Sequence, residues 1–388
     1  MPPMHLSPRE ILAKLVSFPT VSRDSNLPLI DWVEGYLASH GVESRRVPNA
    51  DGSKASLYAV IGPLVPGGVV LSGHTDVVPV DGQHWSGDPW VLEERGGRLY
   101  GRGAVDMKGF VALALAAVPL AIGAGIRRPL MLALSHDEEL GCEGCRAMVE
   151  EMAASLPAPE AVIVGEPSMM KVVTGHKGST AFKVHVKGFE VHSSIMHTGV
   201  NAIMEAAKLI CWANAQNAAN RARTPGPRAA AFVPPWTTLH VGTIAGGTAH
   251  NITAGECRMG LDVRVVPGEE IEDWVAAAEA KAAEIRAGMQ AVRPEADITL
   301  ERYFTVPPLL PEPGGAAEAL MRRLTGDNAS HVVSYGTEAG HFQRSGWSAA
   351  VCGPGDIEQA HKPDEYIELA QFEAGWAFMQ RVVEQLSQ

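Results

Sequence analysis

Cysteine is scarce in this chain. Five are spread through 388 residues, at positions 142, 145, 211, 257 and 352. A sparse, odd-numbered set does not make a disulfide framework and suits a reducing cytoplasm. Cys142 and Cys145 form a CxxC, but no second CxxC exists. A zinc knuckle is therefore disfavoured, and two small residues packed beside an acidic turn are expected instead. Blocks of positive charge are also missing. With a net charge of −12 and no Lys/Arg cluster, the chain lacks what phosphate binding needs, so nucleic acid is not an expected partner. Long apolar runs are absent too. The longest, "FVALALAAVPLAIGAG" (110–125), is short for a membrane span and is interrupted by Pro119; it reads as a buried helix. The N-terminal "MPPMHLSPREILAKLV" has no basic region followed by an apolar stretch, so no secretion signal is expected.

What is present is ordinary globular composition. An apolar fraction of 46% supports a large core, and the length suggests more than one domain. "SPREILAKLVSF" (7–18), with Ser7 as N-cap, and "LPLIDWVEGYLASHG" (27–41), closed by Gly41, read as helices. Continuous apolar runs at 69–73, 129–134, 161–165 and 349–353 suit strands buried on both faces. Helical stretches separate the first three, which predicts an α/β mixed sheet with flanking helices. The middle of the chain alternates apolar and polar residues at 180–188, 237–244, 257–266 and 296–304. Helical patterns lie at 201–216 and 270–288. That order, βαββαβ, predicts a smaller α+β domain inserted into the larger one. The expected boundaries are 1–177 and 305–388 for the two parts of the larger domain, and 178–304 for the insert.

Polar residues collect where the predicted core strands end. "VVLSG" leads into His74 and Asp76, "PLMLAL" into Glu138 and Glu139, "AVIVG" into Glu166, and "AAVCG" towards His361. Asp106 precedes a long helix. In open α/β sheets, the carboxyl ends of strands line the ligand crevice. A crowd of carboxylates there needs counter-charge. Two divalent ions bound by His74, Asp106, Glu139, Glu166 and His361 would balance three carboxylates and a hydroxide, and a His/carboxylate set suits zinc or cobalt. Asp76, two residues after His74 in an extended segment, is placed to orient the imidazole. Singly, Asp106 reads equally well as a helix N-cap and the glutamates as a solvated turn. Their coincidence at strand ends favours metal.

At these residues the chain resembles the M20 family of dinuclear zinc amidohydrolases and peptidases. The resemblance covers nearly the whole chain. It rests on "SGHTDVVP" (72–79), "WVLEERGGRLYGRGAVDMKGF" (90–110), "DEELG" (137–141), "VGEPS" (164–168), "GHKGS" (175–179), "VHSS" (191–194), "YGTEAG" (335–340) and "CGPGDIEQAHKPDEYIE" (352–368). It implies a zinc-aminopeptidase-like catalytic domain. His74 and Glu166 would hold one ion, Glu139 and His361 the other, and Asp106 would bridge them, with a cis peptide just after Asp106. Glu138 would be the general base and Asp76 would orient His74. His192, from the inserted domain of a partner subunit, would steady the oxyanion, which implies a homodimer through that domain. Arg264, Asn251, Gly336 and Thr337 match positions near the substrate; Arg264 could equally pair with Asp262 or Glu269. The expected ions are two Zn²⁺, with Co²⁺ able to substitute. The expected reaction is removal of the acetyl group from N-acetyl-L-ornithine. Other N-acyl amino acids and dipeptides are the alternatives, and a degenerate metal-binding relative is the non-enzyme alternative. A two-metal phosphoesterase is disfavoured, because no Arg/Lys cluster accompanies the motifs. His136, before "DEE", departs from the small residue expected there; it is either an extra polar group beside the site or an outward-facing strand residue, and the second is the favoured reading.

Overall fold

The computed structural model describes residues 3–388. These residues divide into two compact units. The larger comprises the chain up to Gly175 with Leu309–Val332 and Thr337–Gln388. The smaller comprises His176–Pro308 with Val333–Gly336.

The larger unit is built on an eight-stranded mixed sheet. Its strands are β1 (Ser44–Pro48), β2 (Ala55–Ile61), β3 (Val69–His74), β6 (Leu130–Ser135), β7 (Ala161–Pro167), β8 (Val173–His176), β13 (His331–Val333) and β14 (Ala349–Gly353). The spatial order is β1-β2-β6-β3-β7-β14-β8-β13. The four apolar runs predicted as strands are the four parallel central ones, β6, β3, β7 and β14. Each is buried along its whole length, as strands covered on both faces must be. β2 runs antiparallel to both β1 and β6, and β8 runs antiparallel to β14. A small second sheet joins β4 (Glu93–Arg95), β5 (Arg98–Tyr100) and β15 (Tyr366–Glu368) in the order β15-β5-β4.

Helices α1 (Pro8–Val16), α2 (Leu27–Ser39), α3 (Lys108–Ala124), α4 (Glu143–Ser155), α7 (Ala316–Thr325), α8 (Ala339–Arg344) and α9 (Leu369–Ser387) complete this unit. Ser7 and Glu10 form a reciprocal capping box that starts α1, satisfying donors the first turn leaves unpaired. α3 is apolar all round and buried from Lys108 to Val118, with most of its last turn and a half exposed, the pattern of a core helix over most of its length. It ends at Gly125, whose φ of 58° is left-handed and suits a residue without Cβ. Among the described residues, no helix is long and apolar enough to cross a membrane.

The smaller unit has the βαββαβ order read from the alternation: β9 (Gly178–Lys187), α5 (Ala202–Ala222), β10 (Thr238–Gly246), β11 (Glu256–Val265), α6 (Ile271–Gln290) and β12 (Asp297–Val306). The strands lie in the order β10-β11-β9-β12, all antiparallel. Phe182, Val184, Val186, Leu261 and Val263 point into a core shared with Ala206, Leu209 and Ala213 of α5 and Val275, Ala278 and Ala282 of α6. Lys183 and Lys187 alternate outward on β9.

Candidate metal centre

Strand ends of the larger unit supply the site. β3 closes on His74, and β7 carries Glu166 one residue from its end. β6 ends at Ser135, after which the chain bends through left-handed Asp137 (φ 54°) into a short 3-10 turn, Glu138–Leu140. Asp106 lies just before α3, and the Asp106–Met107 peptide is cis.

Asp106 is the centre of the arrangement. Its Oδ1 lies 3.0 Å from His74 Nε2, while its Oδ2 lies 3.1 Å from His361 Nε2. His361 Nε2 is also 3.1 Å from Glu139, and His74 Nε2 is 3.7 Å from Glu166. Ligand atoms of His74, Asp106 and Glu139 all fall within 4.8 Å of one another, as do those of His74, Glu138 and Glu166. The neighbours Glu138 and Glu139 thus fall into two different clusters that share His74.

Burial and mutual repulsion set the electrostatics. Burial pushes Glu138 up to about 8, with Glu139 and Asp106 adding repulsion against the pull of His74. Glu166 and Glu139 are raised by burial and then by the charge of Asp106. Against burial, hydrogen bonds from His361 and His74 hold Asp106 far below the usual carboxylate range. Hydrogen bonds to Asp106 and Glu139 lift His361 to about 10. Against burial, Asp106, Glu166 and Glu138 raise His74 well above its ordinary value. The site therefore draws positive charge to itself. Two imidazoles, that of His74 buried and that of His361 half exposed, stand among several carboxylates, one of which is directed at both; such a set fits divalent cations.

Asp76 serves more than the imidazole. His74 Nδ1 donates to the Asp76 backbone carbonyl at 2.9 Å, whereas the Asp76 carboxylate is 3.7 Å away. That carboxylate accepts from the backbone N–H groups of Glu138 and Glu139 at 3.2 and 3.3 Å, and from Ser22 Oγ at 2.7 Å. It anchors the acidic turn. Lys54 Nζ adds a 2.6 Å ion pair to Asp137. Cys142 and Cys145 are buried and free, and Cys142 Sγ lies 3.3 Å from Glu138 Oε1. They are packing residues beside the turn, as expected.

His136 corrects the sequence reading. It lies beyond the end of β6, is only 5% exposed, and places Nδ1 3.0 Å from Asp137 Oδ2. The strand stops at Ser135 and the backbone folds back at Asp137, so the expected outward strand position does not exist. Other polar residues escaped the sequence reading. Glu338, 1% exposed, accepts from Ser72 Oγ at 2.9 Å and from Ser135 Oγ, tying together the ends of β3 and β6. Its motif "YGTEAG" was recognised, but a carboxylate's buried partners are set by strand register, which the motif does not display. Thr337, beside it, is buried and accepts from Ala339 N at 3.2 Å.

The remaining candidates belong to the smaller unit. His192 is exposed, caps the 3-10 segment Ser193–Thr198, and has Nδ1 2.8 Å from Ser194 Oγ. Asn251 accepts from Ser193 N at 2.9 Å, which brings it beside His192. Arg264 Nε donates to Asp262 at 3.0 Å, the pairing weighed against a substrate role. Gly336 follows the short stretch in which Ser334 Oγ donates to Val233 O at 2.7 Å.

Residues 70–385 match the profile of peptidase family M20/M25/M40. The chain belongs to this family. It is a metallohydrolase of that family, with a candidate two-metal centre. The acetylornithine deacetylase of Myxococcus xanthus is 35% identical over 376 residues, covering 93% of this chain and 92% of its own length. That of Proteus mirabilis is 32% identical, covering 97% and 95%. Among solved structures, an M20 family metallo-carboxypeptidase from Sulfolobus solfataricus matches with a TM-score of 0.79 at 16% identity, covering 99% of this chain and all of that one. A tripeptidase from Staphylococcus aureus matches with a TM-score of 0.74 at 17% identity, covering 98% of each chain. At these identities the structural likeness is one of fold.

Proposed function

We propose that this enzyme removes the acetyl group from N-acetyl-L-ornithine in the cytoplasm, a step of arginine biosynthesis. The observation that carries the chemistry is Asp106, with one carboxylate oxygen at each of two histidines inside a buried acidic crowd. The full-length likeness to acetylornithine deacetylases supports the substrate.

In this reading His74 and Glu166 hold one Zn²⁺, Glu139 and His361 hold the other, and Asp106 serves both; Co²⁺ substitutes. When bound, the ions acidify the attacking water and polarise the acyl carbonyl. Glu138 takes the water's proton and returns it to the leaving amine. Its buried position, which raises its proton affinity, suits a group that must hold a proton between those two moments. Asp76 holds the turn that carries Glu138 and Glu139 through their backbone N–H groups. His192 of a partner subunit donates to the oxyanion, with the smaller unit as the dimer interface. Arg264 and Asn251 receive the substrate carboxylate, for which a guanidinium fork is suited. Gly336 and Thr337 add hydrogen bonds.

The test is hydrolysis of N-acetyl-L-ornithine, N-acetyl-L-methionine, N-succinyl-diaminopimelate and a dipeptide by purified protein with Zn²⁺ or Co²⁺, with Glu138→Ala as control. Preference for acetylornithine, lost in the variant, is the expected result. Preference for another amide would keep the chemistry and change the substrate. No metal-dependent hydrolysis would refute the reading.

A further inference from the structure

His361 differs from the other candidate ligands in how it is held. The side chains of His74, Asp106 and Glu166 are 7% exposed or less, whereas that of His361 is 52% exposed. Packing cannot fix it. Its backbone φ is 64°, and that of nearby Asp364 is 54°, a left-handed region that a non-glycine residue keeps only when its surroundings enforce it.

Those surroundings are specific. Glu365 and Arg102, both 1% exposed, form a 2.6 Å ion pair. Glu365 Oε1 also accepts from the backbone N–H groups of Val105 and Asp106 at 3.0 and 3.2 Å, and Oε2 accepts from Gly103 N at 3.1 Å. One carboxylate from the His361 segment thus organises the turn that ends in Asp106. Arg102 Nη2 continues to Gln83 Oε1 at 2.6 Å, and Gln83 Nε2 donates to the His361 carbonyl at 2.8 Å. Arg102 Nη1 also reaches Lys362 O at 3.4 Å, and Ser86 donates N–H and O–H to Asp364 Oδ1, each at 2.9 Å. A buried ion pair of this kind is poor value as a stabiliser, because desolvation offsets attraction. Here its hydrogen bonds end on the backbones of two candidate ligands from separate segments.

We propose that Arg102, Glu365 and Gln83 are positioning residues that set the affinity of the metal position completed by His361, by fixing the His361 segment against the Asp106 turn. This rests on the two-metal reading of the site. Residues that orient ligands typically change metal affinity by roughly ten- to hundredfold. The prediction is selective: the ion held by His361 weakens, and the ion held by His74 and Glu166 does not.

The experiment is Zn²⁺ titration of the metal-free full chain against a chromophoric chelator, for wild type, Glu365→Gln, Gln83→Ala and, as reference, His361→Ala. Gln83 is not in the core, so its variant keeps the fold if Glu365→Gln does not. Metal-free thermal midpoints are recorded in parallel. Expected are two ions in wild type and one lost in His361→Ala. Gln83→Ala should weaken that same ion about tenfold with an unchanged metal-free midpoint, and Glu365→Gln should weaken it further. Wild-type affinities in Gln83→Ala, or equal weakening of both ions, would overturn the clamp while leaving the two-metal reading intact. Fewer than two ions in wild type would remove the two-metal reading, and the clamp with it.

Discussion

Glu138 and Glu139 are chain neighbours whose side chains fall in different clusters, on a turn that Asp76 anchors through both of their backbone N–H groups. If Glu138 moves the proton, Glu138→Gln keeps its shape and loses its basicity. We expect kcat to fall by about 10²–10⁴ while both ions remain, as checked by steady-state kinetics and elemental analysis on the same sample. An unchanged kcat, or loss of metal, would contradict the role. Lys177 offers a pH test elsewhere. Its side chain is buried, its Nζ donates to Trp236 O at 3.0 Å, and burial, with the nearby Arg264 charge, lowers it from an ordinary 10.5 to about 8. Below 8 the folded protein carries a buried charge at a cost. Between 8 and 10.5 the unfolded chain binds the proton more tightly, so stability from this group rises with pH. Urea denaturation at pH 7 and 10 should show wild type gaining on Lys177→Met as pH rises; a constant gap would mean Lys177 titrates normally.

Among elements, the packing of α3 on β7 and the pairing of β7 with β14 depend on glycine. A Cβ on Gly165 would meet the Phe110 ring at 2.0 Å, and one on Gly353 would meet the Gly165 carbonyl at the same distance. Only glycine lets these backbones approach, and Glu166 follows directly. Gly165→Ala should destabilise by about 1–3 kcal/mol and weaken metal binding, measured by chemical denaturation and chelator competition. Retained stability would mean that Phe110 relocates freely. The central strands were legible because burial on both faces leaves a continuous apolar run, and the insert was legible because one wet face leaves alternation. Other elements carried little signal. β1, "SRRVP", is a polar edge strand defined by its pairing with β2. β4, β5 and β15 are three residues each, too short for a period. His136 was misread because an apolar run shows that a strand exists but not where it stops.

For the whole molecule, the two-metal reading predicts that stability depends on bound ions. At a thousandfold excess over Kd, a bound ion contributes about 4 kcal/mol, so chelation should lower the thermal midpoint and Zn²⁺ should restore it. A midpoint indifferent to chelator would argue against resident metal. The assignment of His192 to a partner subunit has its own test: mixing inactive His192→Ala and Glu138→Ala chains should regain activity that neither has alone. No recovery in verified mixed dimers would place His192 outside the reaction. The chain by itself determined the α/β core, the βαββαβ insert and the family, and it marked the residues of the candidate site, because each leaves a local trace: apolar period, motif, strand-end position. Only the tertiary structure decided that Asp106 turns one oxygen to each histidine, that Asp76 anchors the acidic turn, and that Arg102, Gln83 and Glu365 tie His361 to Asp106. Those arrangements join residues up to 278 positions apart. Hydrogen bonds across such separations depend on register and backbone direction, which no local pattern encodes.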